Sequence, residues 1–131
     1  MALQVITIPD QRYDAYRKGC DWVQKHIFPG GFLPSLTAIS MALRDHSSFV
    51  VDSLDNIGTH YATTLRDWSL RFSANAETLG RLGFDRRFQR MWRYYLAYCE
   101  AGFAAGVLGT LQIVLARPEP QRPVSLLEQA Q

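Results

Sequence analysis

The stretch Asn56-Ile57-Gly58-Thr59-His60-Tyr61 combines a polar turn with an aromatic hydroxyl, and it is the part of this 131-residue chain best placed for chemistry. A phenol offers a hydrogen-bond donor and an acceptor on one atom, and a π face beside it. Open α/β sheets hold their ligands at the carboxyl ends of strands. Tyr61, just past a strand-to-helix turn, therefore lies where such folds place their chemistry, and the structural alternative is a core aromatic with its hydroxyl at the surface. The other reactive residue types are scattered. His26, His46 and His60 are isolated, no two of them have metal-ligand spacing, and no carboxylate pair accompanies them, so no metal site is expected. Asp52 and Asp55 follow the centre of a strand, either as a solvated pair or, with Asn56, as groups that orient the turn. Cys20 and Cys99 make neither a metal motif nor a disulfide framework, which fits a reducing, cytoplasmic compartment.

Three β-branched runs supply the strands that must position these residues. Residues 2–8, bounded by Pro9-Asp10, read as a buried strand. Residues 48–54 read as a second, centred on Phe-Val-Val, and residues 107–116 as a third, with Gln112 its less-buried position. Between them lie helical patterns. Residues 12–27 form one helix with Tyr16, Trp22 or Val23, and Ile27 inward, stopped by Phe28-Pro29-Gly30-Gly31. Ser35 caps a short helix whose apolar stripe is Leu36, Ile39 and Leu43. Tyr61, Leu65, Trp68 and Phe72 recur at i, i+4, i+7 and i+11 on a helix running to about Asn75. After a break at Gly80 to Gly83, a long helix over about 84–104 carries Phe88, Met91, Trp92, Tyr95, Cys99 and Phe103 on one face. Such a stripe is ordinarily core. Arg86, Arg87, Arg90 and Arg93 occupy the other side, as a solvated face or as contacts for anionic phospholipid headgroups at about 1 kcal/mol each.

Strand, helices, strand, helices, strand describes an α/β domain over residues 1–117 with three strands and four to five helices, followed by a mobile, proline-rich tail over 118–131. With 47% hydrophobic residues the chain can build one core. A formal charge of +2 is too small to imply nucleic-acid binding. No apolar run reaches the roughly 20 residues of a membrane span, and no basic region precedes an apolar segment at the N-terminus, so no signal peptide is expected.

Three blocks in fixed order carry a family resemblance. Ile27-Phe28-Pro29-Gly30-Gly31-x-Leu33-Pro34-Ser35, Gly58-x-x-Tyr61-x-x-Thr64-Leu65-x-x-Trp68 and Phe88-x-Arg90-Met91-Trp92-x-Tyr94-Tyr95-Leu96 resemble the C-terminal half of the cyclopropane-fatty-acyl-phospholipid synthases and mycolic acid cyclopropane synthases. The resemblance spans about residues 3–117. It implies the C-terminal part of a class I, Rossmann-like methyltransferase sheet, in which the three strands are the fifth, sixth and seventh and the last inserts antiparallel between the other two. It also implies S-adenosyl-L-methionine as methyl donor, unsaturated phospholipid acyl chains as substrate, and a cytoplasmic enzyme working at the membrane surface. In that chemistry the alkene attacks the sulfonium methyl, and bicarbonate removes a proton as the resulting carbocation closes to a ring. Tyr61 matches the tyrosine that hydrogen-bonds the bicarbonate, and its ring can stabilise nearby cationic character by about 0.5–2 kcal/mol. Ile6 matches a residue that binds the ion through its backbone. Gln4 stands where the family has histidine, and an amide can still donate to a small oxyanion.

The glycine-rich turn that holds the methyl donor is not found in this sequence. Gly30-Gly31 follows a helix, and Gly102, Gly106 and Gly109 lie at a helix end or in a strand. The expectation is a C-terminal portion that is inactive alone, with cofactor-binding residues in an N-terminal half. The alternatives are a non-catalytic half-domain that self-associates or pairs with another chain through the open edge of its first strand, and a free-standing domain with an unrelated binding role.

Overall fold

The strand nearest the C-terminus lies in the middle of the sheet. In this computed structural model, which describes residues 1–118, the elements run β1 (Ala2–Thr7), α1 (Asp10–Tyr16), α2 (Trp22–His26), α3 (Leu36–His46), β2 (Val50–Asn56), α4 (Gly58–Ala74), α5 (Ala76–Arg81), α6 (Arg86–Ala104) and β3 (Gly109–Ala116). The sheet order is β1-β3-β2 and both pairings are antiparallel, so β3 inserts between its neighbours as expected. The tail expected from 118 onward lies, after Pro118, outside the described residues.

Two apolar clusters sit on opposite faces of the sheet, because successive β3 side chains alternate. Leu111, Ile113 and Leu115 are buried against Ile39 and Leu43 of α3. On the other side Leu65 of α4 meets Leu96 and Phe103 of α6, and Ile6 of β1 packs against them. Leu65 and Ile113 are each 1% exposed, and burying a leucine or isoleucine of this kind stabilises by about 1.5–3 kcal/mol. The central strand therefore supplies the buried side chains of the first cluster, while β1 contributes Ile6 to the second.

Several boundaries differ from the sequence reading, each for a local reason. The single helix expected over 12–27 is two helices. After α1 the Lys18 and Gly19 amides turn back to the Ala15 and Tyr16 carbonyls. Asp21 then starts α2 through a capping box, its side chain accepting from the Gln24 amide at 2.7 Å while the Gln24 side chain accepts from the Asp21 amide at 2.7 Å. The turn expected over Asn56–His60 is already helical from Gly58, because Asn56 Oδ1 accepts the Gly58 N–H at 2.9 Å. An additional short helix, α5, precedes the break, raising the number of helices to six among the described residues.

The long helix begins at Arg86, two residues later than expected, because Asp85 caps it by accepting the Phe88 amide at 2.7 Å. It ends in a Schellman motif. Gly106 has φ +66°, its amide reaches the Phe103 carbonyl, and the Val107 amide reaches the Gly102 carbonyl. Those bonds hold Val107 and Leu108 out of β3, which starts at Gly109 rather than 107. β2 spans 50–56 rather than 48–54 and is exposed along its length, with a register irregularity between Val51 and Ser53. Gln112 is exposed as expected, and so is Val114.

Candidate functional site

A cavity of about 590 Å³ opens between the α4/α6 pair, the carboxyl end of β1 and the α1–α2 segment. Each wall follows from a sequence feature. The 3.6-residue period of α4 brings Tyr61, Leu65 and Trp68 to one side. α6 contributes Tyr95, Cys99 and Phe103 from its apolar stripe. The Phe28–Gly31 reversal, closed by the Gly31 amide on the Phe28 carbonyl at 2.8 Å, brings Phe28 and Phe32 to the rim. Gln24 Nε2 donates to the Gly31 carbonyl at 3.0 Å and ties this turn to α2. Ring contacts join the walls: Phe28 meets Tyr95 edge-on at 5.8 Å, Trp22 of α2 meets Tyr94 of α6 edge-on at 4.5 Å, and Tyr16 packs tilted on Phe32 at 5.6 Å.

Tyr61 is half-buried in the first turns of α4, its ring 5.0 Å from Phe103 and 6.2 Å from Trp68. Ile6 lines the same cavity. Met1 and Leu115 exchange both backbone hydrogen bonds, and the β1–β3 register is unbroken. The alternation of an antiparallel ladder then turns the backbone N–H and C=O of Gln4 and Ile6 outward from the sheet edge. The Ile8 amide, next in that series, does point outward and reaches the Pro34 carbonyl at 3.1 Å.

Gln4 does not line the cavity. It lies two residues along β1 from Ile6, roughly 7 Å away, with its side chain exposed. Gln112 Nε2 donates to Gln4 Oε1 at 3.0 Å, and Asp55 pairs with Gln112 from the opposite strand, so a polar row crosses the sheet. The structure thus brings Tyr61 and Ile6 together and leaves Gln4 beside them, with its amide nitrogen as the available donor.

Burial sets the proton affinities in the cavity wall. It pushes the Tyr95 phenol up to about 12 and the Cys99 thiol up to about 11, so both are neutral near pH 7. The Tyr16 and Tyr98 phenols are also raised, first by burial and then by the Asp21 carboxylate. The sequence reading used Tyr16 only as an inward position and passed over Arg12, Asp21 and Tyr98, although all four line the cavity. The Tyr94-Tyr95 pair with Tyr98 on the next turn was the available signal that α6 is aromatic beyond its core stripe.

The remaining candidates have simpler roles. His26 stacks on Trp22 at 5.3 Å, while His46 and His60 are exposed. Arg86, Arg87, Arg90 and Arg93 are exposed and form no ion pair among the described residues. Among the described residues no three His, Cys, Asp or Glu side chains converge on a metal position, and no helix is long and apolar enough to cross a membrane.

S-adenosylmethionine does not fit the turns present. β1 leaves through Thr7-Ile8-Pro9 into α1. β2 enters α4 through Gly58, whose Cβ position is already filled, 3.2 Å from both the Gly109 Cα and the Thr110 amide nitrogen. That glycine serves helix-to-sheet packing and leaves no cradle for a cofactor.

Residues 1–113 match the family described as mycolic acid cyclopropane synthetase. The chain belongs to this family. It is 45% identical over 120 residues to the tuberculostearic acid methyltransferase UfaA1 of Mycobacterium tuberculosis, a match covering 92% of this chain and 28% of that protein. It is 38% identical over 96 residues to the cyclopropane-fatty-acyl-phospholipid synthase of Escherichia coli K12, covering 73% and 24% respectively. The crystal structure of the mycolic acid cyclopropane synthase CmaA1 complexed with SAH and CTAB superposes with a TM-score of 0.75 at 25% identity, over 88% of this chain and 43% of that one. The three-stranded sheet and its helices therefore have the fold of the cyclopropane synthases. The chain spans about a quarter of the length of the curated relatives it matches.

Proposed function

We propose that this chain is the C-terminal portion of an S-adenosylmethionine-dependent methyltransferase that modifies unsaturated acyl chains of phospholipids at the cytoplasmic membrane surface, and that alone it is inactive. The observation that carries this reading is the cavity, whose wall along α4 and α6 is largely apolar and aromatic and includes Tyr61. Its volume lies within the ~300–1,000 Å³ of ordinary ligand pockets, and its shape follows helices rather than a polar cleft. The methyl donor supplies the electrophile from residues outside this chain. The described residues hold and orient the acyl chain, exclude water from it, and offer a donor at the Tyr61 hydroxyl. The outward backbone N–H of Ile6 adds a second donor that suits bicarbonate, and the Gln4 amide nitrogen, outside the cavity lining, is a third farther along the strand. The exposed arginines of α6 meet anionic headgroups.

The test is methyl transfer from S-adenosylmethionine to vesicles of dioleoylphosphatidylglycerol. It compares the 131-residue chain with a protein extended by a family N-terminal half. Transfer is expected only from the extended protein, and Tyr61→Phe in it lowers kcat by about 10–100-fold, the worth of one hydrogen bond to a charged group. Phenylalanine keeps the ring contacts with Phe103 and Trp68, so stability changes little. Full activity in Tyr61→Phe would remove the tyrosine from the mechanism.

A second reading, a non-catalytic half-domain that pairs with another chain, is favoured by the outer edge of β1. Residues Ala2–Thr7 carry no proline, charge or bulge, whereas β2 protects its own edge with Asp52, Asp55 and an irregular register. This reading predicts a concentration-dependent dimer by light scattering, and a monomer at all concentrations would exclude self-pairing.

A further inference from the structure

The cavity lining carries charge as well as its aromatic wall, and Tyr61 and Ile6 both belong to it. Among the described residues Arg12 and Asp21 are the only charged side chains in its lining, and both act on the Tyr98 phenol, the carboxylate raising and the guanidinium lowering its proton affinity. The two charges therefore lie within electrostatic reach of that hydroxyl. Their states differ. The Asp21 carboxylate is already engaged, accepting from the Gln24 amide at 2.7 Å as the cap of α2. Arg12 is exposed at the cavity rim and makes no ion pair with protein among the described residues, so only water holds its donors. A guanidinium with its donors unspent, beside an aromatic slot, matches an amphiphile with an anionic head.

We infer that Arg12 determines headgroup specificity, binding the carboxylate or phosphate of an acyl compound whose chain lies along the aromatic wall toward Tyr61. This rests on the reading of the cavity as an acyl-chain site. Tyr16 and Tyr98, both in the lining, are further hydroxyl donors for the same head. The reacting carbons are then placed by their distance from the head, which turns an otherwise featureless apolar slot into a ruler.

Binding of oleate, 1-oleoyl-lysophosphatidate and oleyl alcohol to the chain, below their aggregation concentrations, tests this by tryptophan fluorescence, since Trp68 lines the cavity. At least one anionic ligand is expected to bind about tenfold or more tighter than the alcohol, and whichever of the two is tighter identifies carboxylate or phosphate as the head. Arg12→Gln is expected to bring the anionic ligands to within about twofold of the alcohol while leaving the alcohol unchanged. Lys25→Gln, which removes an exposed cation of α2 outside the cavity, should preserve the preference. Circular dichroism confirms that both variants fold. Equal binding of all three ligands, or a preference that survives Arg12→Gln, would overturn the assignment and leave the acyl reading standing. Failure of all three to bind would overturn both.

Discussion

Replacing Gly58 by alanine should destabilise the protein, although alanine is ordinarily the better helix former. The gain from propensity is at most about 1 kcal/mol, and less in the first turn. Against it stands the space around the new methyl group. It would lie 3.1 Å from Asn56 Oδ1, 3.2 Å from the Gly109 Cα and 3.2 Å from the Thr110 amide nitrogen. Two of these are backbone atoms of β3, which is paired on both sides and cannot yield. The third belongs to the side chain that accepts the Gly58 amide at 2.9 Å. Overpacking of this kind costs about 1–3 kcal/mol, so Gly58→Ala is expected to be net destabilising by roughly 1–2 kcal/mol. Gly80, inside α5, is the control. The atom nearest to its Cβ position is Gln89 Nε2 at 4.0 Å, so Gly80→Ala should stabilise by about 0.5–1 kcal/mol. Urea denaturation followed by far-UV circular dichroism measures both midpoints. A Gly58→Ala protein as stable as the parent would refute the claim that α4 is seated on β3 by close backbone approach, and with it the account of how Tyr61 is placed.

Asp85→Ala removes the side chain that accepts the Phe88 amide and should lower the urea midpoint by an amount worth about 0.5–2 kcal/mol, with Asp85→Asn largely restoring it. The raised proton affinities of Tyr95 and Cys99 also predict a pH dependence. Both groups are favoured in their neutral forms by the fold, so the stability they contribute is complete below about pH 9 and is lost as pH rises toward 11 for the thiol and 12 for the phenol. Denaturation midpoints should fall across that window, and Cys99→Ala should flatten its lower part. At pH 8 a thiol reagent should modify exposed Cys20 in preference to half-buried Cys99, which mass spectrometry of the labelled peptides distinguishes.

The elements were legible where one physical rule acted alone. The apolar period of α4 and α6 and the β-branched runs of β1 and β3 were sufficient, and Leu65, Phe103, Leu111 and Ile113 are buried as their periods require. Boundaries shifted where side-chain capping competed with the pattern, at Asp21, Asn56 and Asp85. The apolar stripe assigned to α6 omitted Leu96, which is 3% exposed, because the packed face is rotated toward α4 by contacts that no single helix encodes. The exposure of β2 was equally hidden, since Val50 and Val51 have the composition of an inner strand and lie instead on an edge. At the candidate site, Tyr61 was proposed from its motif and Ile6 from its place in the first strand, and both line the cavity. Arg12, Tyr16 and Tyr98 were not proposed for it, because they converge from helices 70 or more residues apart in sequence.

The central position of β3 also sets a timetable for the ribosome. β1 and β2 touch β3 and not each other, so within these residues neither strand pairs until the chain is synthesised past Gly109. The side chains of Gln4 and Gln112, hydrogen-bonded in the finished sheet, are separated by 108 residues, roughly 5–20 s of synthesis at ~5–20 residues per second. Through that interval α4 and α6 are both completed before β3 arrives to join β1 to β2.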